Sequence, residues 1–201
     1  MFNIGIILFD DFEELDAVGP WEVFRVAQEM GDAAEGPKLQ CEMTSLSGNR
    51  VMAKKGMEVI VDKNLSEDSS YDLILLPGGA GSRALLANPD ALETIRQVAQ
   101  KTPWVTSVCS GSLVYAAAGL LAGKKCTSHH SCLDFLAQLS PTSEVVKNHR
   151  FVRDGAVITS AGVSAGIDMA LWVVGEIYSP AFARQVQHYL EYYPDPPYQT
   201  A

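Results

Sequence analysis

Two stretches of the chain are apolar almost without interruption, residues 2–9 and 72–77, and a third, 104–108, is rich in β-formers. Short runs rich in Ile, Leu and Val are the pattern of parallel strands buried on both faces. Residues 39–46 and 51–61 also read as strands, separated by a turn at Gly48-Asn49 and broken near Gly56. Helical spacing begins at Gly19-Pro20, where Trp21, Val23, Phe24 and Ala27 form one apolar face and Pro20 fits a first turn. Further helical patterns start at Arg83, cover 89–100, and follow 104–108 until Gly119 or Gly123. A short strand near 125–128 leads into a helix over about 131–139. Residues 150–153 and 156–159 pair as a hairpin turning at Asp154-Gly155. An apolar helix over 165–177 and a more amphipathic one from Pro180 to about Tyr192 complete the pattern. A polar link spans 31–37, and the proline-rich tail over 193–201 cannot continue a helix. This alternation predicts an α/β fold with a doubly wound, mostly parallel sheet, in a single domain over 1–201.

Composition narrows the partners. The chain has 201 residues, 47% of them hydrophobic, enough for a sizeable core. A formal net charge of −9 argues against nucleic acid, whose phosphates need clustered Lys and Arg. No apolar run has the length of a membrane span. Four cysteines (Cys41, Cys109, Cys126 and Cys132) in a chain this long make no disulfide framework, so a reducing cytoplasm is expected.

Candidate chemistry gathers at three loops. Cys109-Ser110-Gly111 stands between the 104–108 strand and a helical pattern. A thiol on such a corner is the cysteine form of a nucleophile elbow, with Gly111 leaving room for the turn. Free N–H groups at the new helix stabilise an anion, so this thiol is expected to ionise more readily than a free one. The alternative is a buried structural thiol. In a doubly wound sheet, ligands bind at the carboxyl ends of the strands. Two more loops leave such ends: the acidic run from Asp10 to Asp16, and Gly78-Gly79-Ala80-Gly81-Ser82. If the strands are neighbours, Asp16, Gly78, Gly79 and Cys109 converge. The N–H groups of Gly79 and Ser110 then stand ready for developing negative charge. Asp16, flanked by Leu15 and Ala17-Val18, is the carboxyl expected to be partly buried and to share a proton with the thiol. Asp10, Asp11, Glu13 and Glu14 read as solvated charges. His129 reads either as half of a Cys–His pair or as a structural hydrogen-bonder. Trp21 or Tyr115 can supply apolar walls. Cys126, His129, His130 and Cys132 crowd into seven residues, but their spacing matches no common zinc site and no metal is expected. The glycine run lacks the lysine of a P-loop and the spacing of a dinucleotide fingerprint.

Four segments together resemble the ThiJ/PfpI superfamily: Leu15-Asp16-Ala17-Val18-Gly19-Pro20-Trp21-Glu22-Val23-Phe24, Leu76-Pro77-Gly78-Gly79, Val105-Thr106-Ser107-Val108-Cys109-Ser110-Gly111-Ser112 and Ala161-Gly162-Val163-Ser164-Ala165-Gly166-Ile167-Asp168. Within it the chain is most similar to the isocyanide (isonitrile) hydratases, including the closing Leu190-Glu191-Tyr192 and Pro196-Pro197. The resemblance implies a flavodoxin-like (class I glutamine amidotransferase-like) three-layer sandwich, usually a homodimer, with Cys109 as nucleophile. Asp16 matches the hydratases, where many members carry glutamate. Ser110 departs from the histidine of the protease-like and glyoxalase-like branches, and from the threonine common in hydratases. No late His-x-Glu of class I glutamine amidotransferases is present, and His129 falls where members have a pocket histidine. The implied reaction adds water to a small apolar isocyanide through a thioimidate on Cys109. Asp16 is its acid and base, and no metal or organic cofactor takes part. Two alternatives are a non-catalytic ligand- or redox-sensing protein and a glyoxalase-like enzyme of reactive carbonyls. Related domains precede helix-turn-helix modules in regulators; the acidic balance and the end at Ala201 lead us to expect none here, and no nucleic-acid or membrane partner.

Overall fold

A computed structural model of the chain describes residues 1–31 and 36–198; most of the expected polar link and the last three residues of the tail lie outside them. The elements run β1 (Phe2–Leu8), α1 (Glu14–Gly31), β2 (Leu39–Ser45), β3 (Arg50–Met52), β4 (Glu58–Ile60), β5 (Lys63–Asn64) and β6 (Leu73–Leu76). Then come α2 (Ser82–Leu86), α3 (Pro89–Gln100), β7 (Trp104–Val108), α4 (Gly111–Ala117) and β8 (Lys125–Cys126). After a 3₁₀ turn over His130–Cys132, the chain closes with α5 (Leu133–Leu139), β9 (Glu144–Val145), β10 (Phe151–Asp154), β11 (Val157–Ser160), α6 (Ala165–Ile177) and α7 (Pro180–Tyr189).

The main sheet has seven strands in the order β10-β11-β7-β6-β1-β2-β5, parallel except for β10. Both faces are covered: α1, α6 and α7 pack together on one side, and α2, α3 and α4 on the other. That sandwiching explains the uninterrupted apolar runs, because Ile4, Ile6, Ile7 and Leu8 of β1 and all four residues of β6 are fully buried. The sheet is the doubly wound α/β arrangement that the pattern predicts. Its order makes β1, β6 and β7 consecutive neighbours, so the three loops leaving their carboxyl ends meet at one edge. Among the described residues no helix is long and apolar enough to cross a membrane.

Several expectations need correction. The first helix opens at Glu14, not at Pro20, so Asp16 lies in its first turn. Acidic residues favour a helix N-terminus, and the missing N–H of Pro20 releases only the Asp16 carbonyl, one turn from the start. Residues 50–60 form a separate antiparallel hairpin, β3–β4, outside the main sheet. Its turn at residues 54–56, with Gly56 at φ 96°, is the break expected there. β5 is a short, exposed, polar strand with no apolar signal to announce it. The last helix ends at Tyr189, three residues before the position expected.

Candidate active site

Cys109 occupies the corner between β7 and α4 with φ 56°, a left-handed conformation that costs a non-glycine residue about 1–2 kcal/mol. Its neighbours hold it there. The Cys109 N–H lies 3.2 Å from both Ser160 O and Ala161 O, at the end of β11. The Cys109 carbonyl accepts hydroxyl hydrogen bonds from Ser128 at 2.8 Å and Ser112 at 3.1 Å. Gly111 lets α4 start against the end of β6, since a Cβ there would stand 2.2 Å from Leu76 O. The side chain of Cys109 therefore leaves a corner whose backbone is tied on both sides.

Asp16 reaches the same corner from α1 and is fully buried. Gly78 N–H, just past β6, donates to Asp16 Oδ2 at 2.9 Å. Oδ1 is buried with no fixed hydrogen-bond partner among the described residues. Burial pushes the Asp16 carboxyl up to about 7, helped by the charge of Glu13 and opposed by the Gly78 N–H. The thiol is pushed up as well, to about 12, by burial first and then by the Asp16 charge. This corrects the expectation of a readily ionised thiol. The Ser110 N–H does face the sulfur and favours its anion, but loss of water and the adjacent carboxyl outweigh it. Carboxyl and thiol interact with one another across the corner. They titrate as a pair, which near neutrality holds at least one proton. Because Oδ2 is fixed as an acceptor, that proton on the carboxyl sits on Oδ1.

The glycine loop closes the site from the β6 side. A Cβ on Gly78 would meet Ser110 N at 2.5 Å and Asp16 Oδ2 at 2.9 Å, so only glycine fits between acid and elbow. Gly79, at φ 127°, abuts the backbone of Asp11, Phe12 and Glu13. Its N–H is not free for a substrate: it donates to Ser110 Oγ at 3.0 Å. Ser82 Oγ donates to Gly79 O at 2.8 Å and lies 3.2 Å from Ser110 Oγ. The N–H groups of Gly78 and Gly79 are thus both engaged within the protein.

His129 lies over Gly162, where a Cβ would stand 2.0 Å from its ring. Its Nδ1 is 2.7 Å from Ser131 Oγ, and burial and His130 lower its pKa. Glu13 acts in the opposite sense, which puts His129 within electrostatic reach of the acidic loop. Tyr115 is no pocket wall: it is fully buried and donates to Thr106 O at 3.0 Å. Trp21 packs, half-buried, against the core. Sequence reasoning gave no role to Ser82, Ser128 and Ser160, ordinary serines that act through tertiary contacts, or to Ser112, which bonds back within the elbow.

Residues 3–176 match the DJ-1/PfpI family. The chain belongs to that family. It is 36% identical over 98% of its length to the isonitrile hydratase of Pseudomonas putida, covering 82% of that protein. It is also 27% identical over 86% of its length to the HTH-type transcriptional regulator GbdR of Pseudomonas aeruginosa, of which it spans only 46%. Among solved structures, a ThiJ/PfpI family protein from Pseudomonas syringae superposes with a TM-score of 0.87 at 31% identity, covering 98% of this chain and 77% of that one. The relatives thus include both an isonitrile hydratase and a transcriptional regulator.

Proposed function

We propose that this DJ-1/PfpI protein is an isocyanide hydratase, a cysteine-dependent hydro-lyase converting R–NC and water into R–NH–CHO. The observation that carries the reading is the fully buried Asp16 beside Cys109, with one oxygen held by Gly78 N–H and the other free. The likeness to the isonitrile hydratase of Pseudomonas putida supports it.

The sulfur of Cys109 attacks the terminal carbon of the isocyanide, while the proton shared with Asp16 Oδ1 is delivered to that same carbon. The product is a thioimidate, R–N=CH–S, on the cysteine, and Asp16 is left as carboxylate. The carboxylate then takes a proton from water as the oxygen adds to carbon, and passes it to nitrogen. Collapse of the adduct breaks the C–S bond, releases the N-substituted formamide and returns the thiol. A carboxyl whose pKa lies near neutrality suits both transfers. The first step builds charge on neither a carbonyl nor an alkoxide oxygen. That fits a site whose glycine N–H groups are already committed, and it argues against acyl transfer, which needs such donors free. The reading includes a small apolar substrate, no cofactor, and a homodimer working in the cytoplasm.

Purified protein incubated with cyclohexyl isocyanide is expected to release N-cyclohexylformamide. Cys109→Ala is expected to abolish turnover, and Asp16→Asn to cost at least about a hundredfold. Absence of formamide at every pH around neutrality, with Cys109 still alkylatable, removes the hydratase reading. Selective peroxide oxidation of Cys109 in that setting would favour a sensing role.

A further inference from the structure

The acidic loop in front of α1 carries a docked hairpin. Asp11 N–H donates to Met52 O at 2.8 Å, Lys54 N–H to Phe12 O at 2.9 Å, and Met52 N–H to Asp10 Oδ1 at 3.0 Å. Lys55, in the turn, donates its N–H to Glu14, and its ammonium ion-pairs with Glu13 and, at 3.2 Å, with Glu14. Lys54 is a weaker partner of Glu13, at 3.9 Å. Glu13 is in turn fixed to the site: its N–H donates to Gly78 O at 2.8 Å, and its carbonyl accepts the Asp16 N–H at 3.1 Å. An anion and its balancing cation thus stand next to the reacting pair, and neither takes part in the reaction described above.

We propose that Lys55 is a positioning residue of this site: its ion pair with Glu13 anchors the first turn of α1 and balances the negative charge that Glu13 sets beside Asp16. The proposal deepens the hydratase reading and rests on it for the roles of Asp16 and Cys109. The charged and titratable groups facing the pair come from every side. The loop supplies Glu13, which disfavours the Asp16 anion, and the hairpin supplies Lys55, which favours it. The elbow supplies Cys109 itself, with Cys132 acting on the thiol from the 3₁₀ turn. His129 interacts with Glu13, and β6 contributes only the Gly78 N–H. Removing the Lys55 cation therefore makes the pair harder to deprotonate, and removing the Glu13 anion makes it easier.

The test is the pH dependence of Cys109 alkylation by iodoacetamide, followed on the Cys109 peptide by mass spectrometry. It reads the proton on the pair without requiring turnover. A unit charge at this range through a partly wet path is worth a shift of about half a pH unit. Lys55→Gln is expected to move the half-maximal rate upward by that amount, and Glu13→Gln downward. Lys55→Arg is expected to keep the native value, and the double variant Glu13→Gln with Lys55→Gln to return towards it. Unchanged midpoints in both single variants, or shifts in the same direction, overturn the proposal. Should the native protein turn over no isocyanide while the alkylation shifts appear with opposite signs, the hydratase reading fails and this assignment stands.

Discussion

Replacing Asp16 by asparagine is expected to make the protein more stable above neutrality while removing activity. The carboxyl has its ordinary value of 3.8 outside the fold and about 7 within it. Below the lower value both states are protonated and the residue costs nothing. Between the two, the native state holds a proton that the unfolded chain has released, so stability falls as pH rises. The full difference, about three pH units at about 1.4 kcal/mol each, is about 4 kcal/mol above neutrality. No discount for solvent applies, since Asp16 is fully buried. The sum is still an upper bound, because water entry and relaxation reduce it. Asparagine keeps an oxygen for the Gly78 N–H and never charges, so the expected gain is about 2–4 kcal/mol at about pH 8, shrinking towards zero near pH 4. Guanidinium unfolding of both proteins across that range measures it, as a midpoint difference that widens with pH at constant slope. Parallel pH curves for the two proteins would refute the reasoning, because they would mean that Asp16 ionises in the fold as it does in water.

Two further outcomes follow from the loop that faces the elbow. Gly79→Ala forces a Cβ to 2.4 Å from Asp11 O at a backbone φ of 127°, and is expected to destabilise by at least about 3 kcal/mol, seen as a lowered Tm. Ser110→Ala leaves the Gly79 N–H without its acceptor and is expected to cost about 1–2 kcal/mol in unfolding experiments; Ser110→Thr, which keeps the hydroxyl, is expected to cost less.

Much of the architecture could be read from residue patterns because burial on both faces leaves a mark in composition. β6 is apolar from end to end and β1 nearly so, β7 is rich in β-formers, and α3 and α6 span the residues that spacing put them over. Elements with little to bury left a fainter mark: β5 is polar and exposed and went unread, while the short hairpin strands were legible as strands but not as a pair outside the main sheet. Cys109, Asp16, Gly78 and Gly111 were legible because each is a residue type whose chemistry or size is rare in its setting. The protonation of the site was not, since it depends on how much water the fold removes. The docking of Lys55 on Glu13 joins residues 42 apart through a hairpin that spacing cannot aim, and Glu13 accordingly read as a solvated charge.

The corner that presents the sulfur is not local. Its amide is held by carbonyls of Ser160 and Ala161, and its own carbonyl by the hydroxyls of Ser112 and Ser128. A chain emerging from the ribosome therefore carries the cysteine long before it carries the corner that holds it: the contacts to the Cys109 amide exist only once β11 has slotted in beside β7. The last strand of the parallel array is thus the piece that completes the corner.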